Sequence, residues 1–216
     1  DKMFKMDATY QMNSKHKIRF GSGWTHHYFL PDLVIYESTY ESDYTNRTDS
    51  LRAIEGNIYA EDEIRFDNES SLNIGIHGSF YNVNGKHYIS LQPRISANVN
   101  LPGNLHFNGS LTRMAQYVHL ISKTNLGLLI EQWVLASDNI KPQISTQGTA
   151  GILKDHNGDY IFSIEGFYKK MENLIEYAED PKILDESLHW EDKIETGNGK
   201  AYGVEFFIQK KKGVYT

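Results

Sequence analysis

The chain has no cysteine, which excludes thiolate zinc sites, disulfide staples and cysteine nucleophiles. It also lacks any uninterrupted apolar stretch near the ~18 residues a membrane-spanning helix needs. A spanning β-strand stays open, because about 9–11 residues of weak alternation suffice for one. Acidic residues outnumber basic ones, 28 to 22, for a formal net charge of −6. Apart from Lys210-Lys211-Lys212 there is no basic stripe, so nucleic acid is not an expected partner. Helical periodicity is almost absent, and no low-complexity tract appears, so the chain reads neither as a helical bundle nor as disordered.

Metal and catalytic signatures are equally scarce. The 9 histidines are scattered. His26 and His27 are adjacent, which puts them on opposite faces of a strand, where they cannot share one ion. No HExxH pattern occurs, and the run Asp155-His156-Asn157-Gly158-Asp159 lacks the following Glu of a calcium loop and reads as a turn. Glu61 and Glu63 lie about 6–7 Å apart on one strand face, but a polar stripe of this kind is expected on a barrel wall without catalysis. No metal, no cofactor and no catalytic residue is expected.

What the sequence has in abundance is a period of two. Apolar residues make up only 39%, yet aromatics reach 12%, with 14 Tyr and 10 Phe. Phe4, Met6, Ala8 and Tyr10 alternate with Lys5, Asp7 and Thr9; Ile18, Phe20, Trp24 and Tyr28 oppose Lys17, Arg19, Thr25 and His27. The pattern recurs through Ile54–Phe66, Leu72–Phe80, Ile89–Val99, Leu105–Leu111, Tyr160–Tyr168 and Tyr202–Ile208, with a weaker segment at Ile144–Leu153. This predicts about nine strands, mostly of 11–15 residues, well beyond the usual mode of roughly 5–6. Short turns at Asn13–Lys15, Asp67–Ser70, Leu101–Asn104, Asp155–Gly158 and, at the end, Lys212–Gly213 alternate with long links at 29–50, 116–141 and 178–198, Asn84-Gly85 being the tight exception. Short turns at one end and long loops at the other are the rhythm of an outer-membrane barrel. The apolar face would then meet lipid and the polar face would line a wet interior, with Tyr10, Trp24, Tyr28, Tyr88, Tyr160 and Tyr168 placed for an aromatic girdle. Period two cannot by itself separate this from a soluble β-sandwich binding module, whose apolar face would be core. A barrel enzyme is the third reading, but no convincing Ser/His/Asp set is found.

Several stretches resemble the barrel of TonB-dependent outer-membrane receptors, notably those of Bacteroidetes. They are Leu91-Gln92-Pro93-Arg94-Ile95-Ser96-Ala97, Thr112 to Leu120, Asp138 to Gln143, Glu165 to Tyr177, Trp190-Glu191-Asp192-Lys193 and Ala201-Tyr202-Gly203-Val204-Glu205. The resemblance implies an all-β antiparallel meander forming part of a larger Gram-negative outer-membrane β-barrel. The parent would carry an internal plug, contact outer-membrane lipid, bind a nutrient of unknown identity and import it with energy from the TonB complex. No plug and no TonB box are seen in residues 1–216, which read as a single partial-barrel domain. Within it, the long link 116–141 is too apolar for a solvated loop, with Leu126, Leu128, Leu129 and Ile130 beside its aromatics. Gln116, Tyr117, His119 and Trp133 there, and Trp190 in the next link, are the candidate ligand contacts. The same residues could instead pack their loop onto its neighbours.

Overall fold

The computed structural model describes residues 1–29, 50–67, 69–125, 128–156, 158–178 and 190–212. The long link at 30–49 and most of that at 178–198 lie outside the described residues. So does Leu126, together with the side chains of Leu128, Leu129 and Ile130. The strands are β1 (Lys2–Gln11), β2 (His16–Phe29), β3 (Leu51–Arg65), β4 (Ser71–Val83), β5 (Lys86–Leu101), β6 (Leu105–Gln116), β7 (Val118–Asn125), β8 (Leu128–Leu135), β9 (Gln143–His156), β10 (Tyr160–Tyr177) and β11 (Ile194–Lys210). Nine of them form one antiparallel sheet in the order β1-β2-β3-β4-β5-β6-β9-β10-β11, and among the described residues β7 pairs only with β8.

The meander of nine long strands predicted from alternation is therefore present, with one addition. The link 116–141 is not an irregular loop but carries the β7–β8 hairpin. The final strand also starts earlier than alternation indicated, at Ile194, straight after a short 3-10 turn at Trp190–Lys193.

The turns follow their local chemistry. Asn13 Oδ1 accepts from the amides of Lys15 and His16 at 2.8 and 2.9 Å, and Asp67 Oδ1 accepts from those of Glu69 and Ser70 at 2.8 and 2.6 Å. Such side-chain bonds substitute for backbone partners at a reversal. Asn84 and Gly85 both take positive φ, 47° and 85°, the requirement of a two-residue I′ hairpin.

Register puts one side-chain set on each face. Phe4, Met6, Phe20, Trp24, Ile58, Ile76, Leu91, Leu111, Phe162, Tyr202 and Phe206 share a face and are all exposed; Ile58 is 68% exposed and Ile89 83%. Among the described residues no second sheet covers them, so the sandwich, which needs that face as its core, is not favoured. The aromatics Tyr10, Trp24, Tyr28, Tyr160 and Tyr168 stand on this face as expected. Tyr88 does not: it lies on the opposite face, half-buried, and donates to the carbonyl of Ser137 at 2.6 Å.

Polar groups bracket the central part of the apolar face. On β2 and β3 it runs from the His16 Nδ1–Asp62 Oδ2 contact, 2.7 Å, to Arg52 above the Tyr28 ring, 5.7 Å from its centroid. From Asp62 to Arg52 is ten residues of β3, about 25 Å of height at ~3.3 Å per residue and a tilt near 40°, the height of a lipid-facing band. The other face is polar along most of its length, with Arg19–Glu61 at 2.6 Å and Tyr59 donating to Asp7 at 2.6 Å. Tyr59 reaches Asp7 by crossing Gly21, where an added Cβ would lie 2.7 Å from its ring.

Ile58 sits at mid-height of this band, in register with Ser22 and Gly78. Ile58→Arg is expected to cost about 2–4 kcal/mol in a bilayer, whereas Asn57→Arg on the polar face costs a small fraction of that. Reversible unfolding from lipid vesicles measures both, and equal costs at the two positions would contradict the face assignment.

Candidate ligand-binding site

The buried core does not lie where the alternation concentrates apolar side chains. It gathers on the polar face at the end of the sheet opposite the short turns. There Leu51 and Ala53 of β3 and Tyr81 and Val83 of β4 meet the roots of the β7–β8 hairpin, Tyr117, Ile121, Val134, Leu135 and Ala136. Ile140, Tyr177 and Trp190 complete the cluster. The hairpin is thus folded inward over the face that would line a barrel interior.

Two tyrosines hold it there. The rings of Tyr81 and Tyr117 stack with centroids 4.6 Å apart and planes 4° from parallel. The Tyr117 hydroxyl lies 2.7 Å from Ser79 Oγ, which in turn accepts from Gln92 Nε2 at 2.8 Å. Tyr81 Oη donates to the Ala136 carbonyl at 3.2 Å. Each buried hydroxyl therefore has a partner, as a buried aromatic with a polar tip requires. Ser137 Oγ accepts from the amides of Asn139 and Ile140, closing the hairpin's exit.

The five predicted contact residues separate into two groups. Tyr117, His119 and Trp190 are buried, at 3%, 3% and 7% exposure, and belong to the packing that seats the hairpin. Trp133 is 54% exposed on the hairpin's other side, and Gln116 is exposed at the end of β6, where its Nε2 donates to the Val118 carbonyl at 2.8 Å. Directly opposite Trp133 across the hairpin is Leu120, 48% exposed, which the sequence reading passed over. Its signal is in the sequence, where Val118 and Leu120 repeat with period two inside the long link. Leu120 and Trp133 together form an apolar, solvent-facing pair on a hairpin whose reverse side is anchored in the wall.

His119 is the unusual member. Neither ring nitrogen has a hydrogen-bond partner among the described residues, and burial pushes its imidazole down to about 4. No group of three or more His, Asp or Glu side chains able to hold a metal ion occurs among the described residues.

A sequence model of the family described as "TonB dependent receptor-like, beta-barrel" matches residues 2–213. Solved structures with the same fold include the FrpB iron transporter from Neisseria meningitidis in its apoprotein form, at 13% identity and a TM-score of 0.67, covering 98% of this chain and 34% of that one. The siderophore receptor PirA from Acinetobacter baumannii matches at 11% identity and 0.64, with coverages of 98% and 34%. A mutant of the ferric enterobactin receptor PfeA from Pseudomonas aeruginosa, in complex with enterobactin, matches at 16% and 0.62, with coverages of 94% and 32%. The chain spans about a third of the length of these structures. No curated protein matches it.

Two outcomes follow from the hairpin's seat. Tyr117→Ala removes a stacked ring and a buried hydroxyl bond, a loss of about 3–5 kcal/mol for a buried aromatic; proteases should then cut within 118–135 at rates the parent resists. For His119 the folded state holds the neutral ring, so the unfolded state binds the proton more readily between the ordinary value of 6.5 and about 4. Stability of the hairpin therefore falls as pH drops through that window and levels off below it. Amide exchange over β7 and β8, corrected for intrinsic rates, should show faster opening at pH 5 than at pH 7.5, and His119→Leu should abolish the difference.

Proposed function

Because the chain belongs to the TonB-dependent receptor β-barrel family, whose sequence model spans residues 2–213, we propose that it is barrel wall of a receptor that captures a nutrient outside the cell and imports it. Its place is the outer membrane, apolar face to lipid and polar face to the lumen. On this reading the receptor is longer than these residues, carries a plug that the TonB complex engages, and is of the Bacteroidetes type that the motifs from Leu91 to Glu205 resemble. The proportion of the solved receptors that the chain covers, about a third, supports the first point.

The observation that carries the ligand-binding role is the hairpin. An outer hairpin anchored by Tyr81 and Tyr117 and turned over the lumen holds Trp133 and Leu120 out of the packed core, toward solvent. Exposed apolar pairs on a rigid support are characteristic of binding surfaces, because hydrophobic area is otherwise withdrawn from water. Gln116, at the hairpin's root, adds a polar contact. Tyr117, His119 and Trp190 hold the hairpin in position and do not themselves reach a ligand in this arrangement.

The similar structures include an iron transporter and two siderophore receptors, which makes ferric siderophores the first ligands to try. Cells lacking the full-length receptor should lose uptake of at least one nutrient in a panel of labelled ferric siderophores, haem, cobalamin and oligosaccharides. Disrupting TonB should give the same loss. Trp133→Ala should weaken binding of that nutrient by about tenfold, roughly 1.4 kcal/mol, while the hairpin keeps its protease resistance. Unchanged uptake of the whole panel on deletion would count against an import role.

A further inference from the structure

Among the described residues, the nine-stranded sheet has an internal seam at its outer end, between β5 and β6. Their ladder stops at Arg94–Thr112, although β5 stays extended and paired with β4 up to Lys86. Pro93 accounts for the stop. The Leu91 carbonyl accepts from Arg113 Nη1 of β6 at 2.5 Å, so it points across the seam. Peptide groups of alternate residues point to the same side of a strand, so those of His87, Ile89 and Pro93 point there too. Extending the ladder would need an N–H from Pro93, and proline has none. Arg113 closes the foot of the seam, with a second bond to Ser90 Oγ at 3.2 Å. Above it, the N–H and C=O of His87 and Ile89 and the N–H of Leu91 have no strand partner on that side among the described residues.

The seam is also hollow. A cavity of about 200 Å³ is bounded by Tyr88 and Ser90 of β5, Arg113 of β6, Tyr117, and Lys141 and Pro142 ahead of β9. Among the described residues that line it, Arg113 and the exposed Lys141 are cations and none is a carboxylate. Both Arg113 bonds use Nη1, which leaves the rest of the guanidinium fork for another acceptor. Glu172 of β10 already accepts from Lys170 at 2.8 Å. Leu91 stands ten residues above the Leu101 end of β5, about 25 Å of height at ~3.3 Å per residue and a tilt near 40°. Ile89 and His87 therefore lie at the outer margin of the lipid band, within reach of a molecule outside the cell. Ile89 is 83% exposed, the most of the large apolar side chains described.

We propose that the β5 edge at 87–91 is a strand-addition site, where an extended segment of another protein at the cell surface pairs with β5 and places a carboxylate side chain in the cavity beside Arg113 and Lys141. Backbone and charge agree on this occupant. Donors and acceptors spaced along an open strand edge are matched by another peptide backbone, and a pocket beside the edge selects one side chain of the incoming strand. The two cations of that pocket make the selected side chain acidic, because a charge-assisted bond to the free part of the guanidinium is the strongest contact on offer there.

The test uses the full-length receptor in mild detergent and short fluorescent peptides of alternating Thr and Val with one central Glu, read by anisotropy. The Glu peptide should bind saturably, and the same peptide with Lys at its centre should bind about tenfold more weakly. N-methylation of the amides along one edge of the peptide should abolish binding, while methylation of the alternate set should leave it. Ile89→Pro removes an N–H that the β4 ladder does not use, so the barrel should keep the heat-dependent gel shift of a folded protein while binding falls at least about tenfold. Lys141→Glu should erase the preference for Glu over Lys. Strand addition is overturned by no binding of any peptide up to millimolar concentration, by equal loss with either methylated set, or by full binding to Ile89→Pro. A preference that survives Lys141→Glu overturns the acidic side chain in the cavity. A receptor dimer in native mass spectrometry that Ile89→Pro dissociates would assign the edge to a second copy and overturn the separate partner.

Discussion

In hydrocarbon, an unpaired backbone amide or carbonyl has no water to turn to, and each one costs several kcal/mol. The long antiparallel ladder is the answer to that constraint, and the rest of the molecule is arranged around it. Among the described residues, β1 to β6 and β9 to β11 pair in regular register along most of their length, the exceptions being a shift between Met171 and Leu174 of β10 and the early end of the β5–β6 ladder at Arg94–Thr112. Only once the backbone is satisfied in this way can the side chains separate by sign: apolar outward, polar inward. The free sides of β1 and β11 carry the same obligation, and in a bilayer further strands must meet them.

That separation was the legible part of the sequence. Alternation locates the long strands, the face each residue occupies and the short turns from Asn13 to Gly158, because period two survives any ambient packing; the turn expected at Lys212–Gly213 reaches beyond the described residues. It could not locate the core. Tyr81 and Val83 fall at positions whose neighbours on the same face, His77 and Ser79, are polar, and nothing local distinguishes them until the hairpin arrives to cover them. The hairpin itself was hidden by brevity. Strands of 8 residues carry few alternations, and their pairing is a property of two segments rather than one. Tyr88 differs in kind: its alternation with Ile89 places it on the polar face, and nearness to a strand end does not override that parity.

The candidate site was legible in composition and not in geometry. An apolar link with Tyr117, His119 and Trp133 signalled that something other than solvent covers it. Which of these residues look inward and which outward depends on the twist and pairing of the hairpin. The inward set, Tyr117 and His119, shares its buried side with Ile121 and Val134, while Leu120 and Trp133 oppose each other on the exposed side. Packing and binding are thus two sides of one element: the better the reverse is anchored, the smaller the entropy lost when a ligand meets the front.

The same economy governs the outer end of the wall. The β5–β6 ladder stops at the Arg94–Thr112 pair, and from there β6 follows β9 alone. Residues 86–93 of β5 are left without strand partners on that side, at a height where an open edge is costly. Arg113 meets the exposed Leu91 carbonyl, and Tyr88 turns inward to the hairpin's exit at Ser137. The divergence that frees β6 to lead into the hairpin is therefore closed by a cation, held against the Leu91 carbonyl and Ser90 Oγ. An apolar side chain could fill the gap sterically, but it would leave that carbonyl unsatisfied. The inner hairpin and the Arg113 clasp on β5 are in this sense consequences of one break in the ladder.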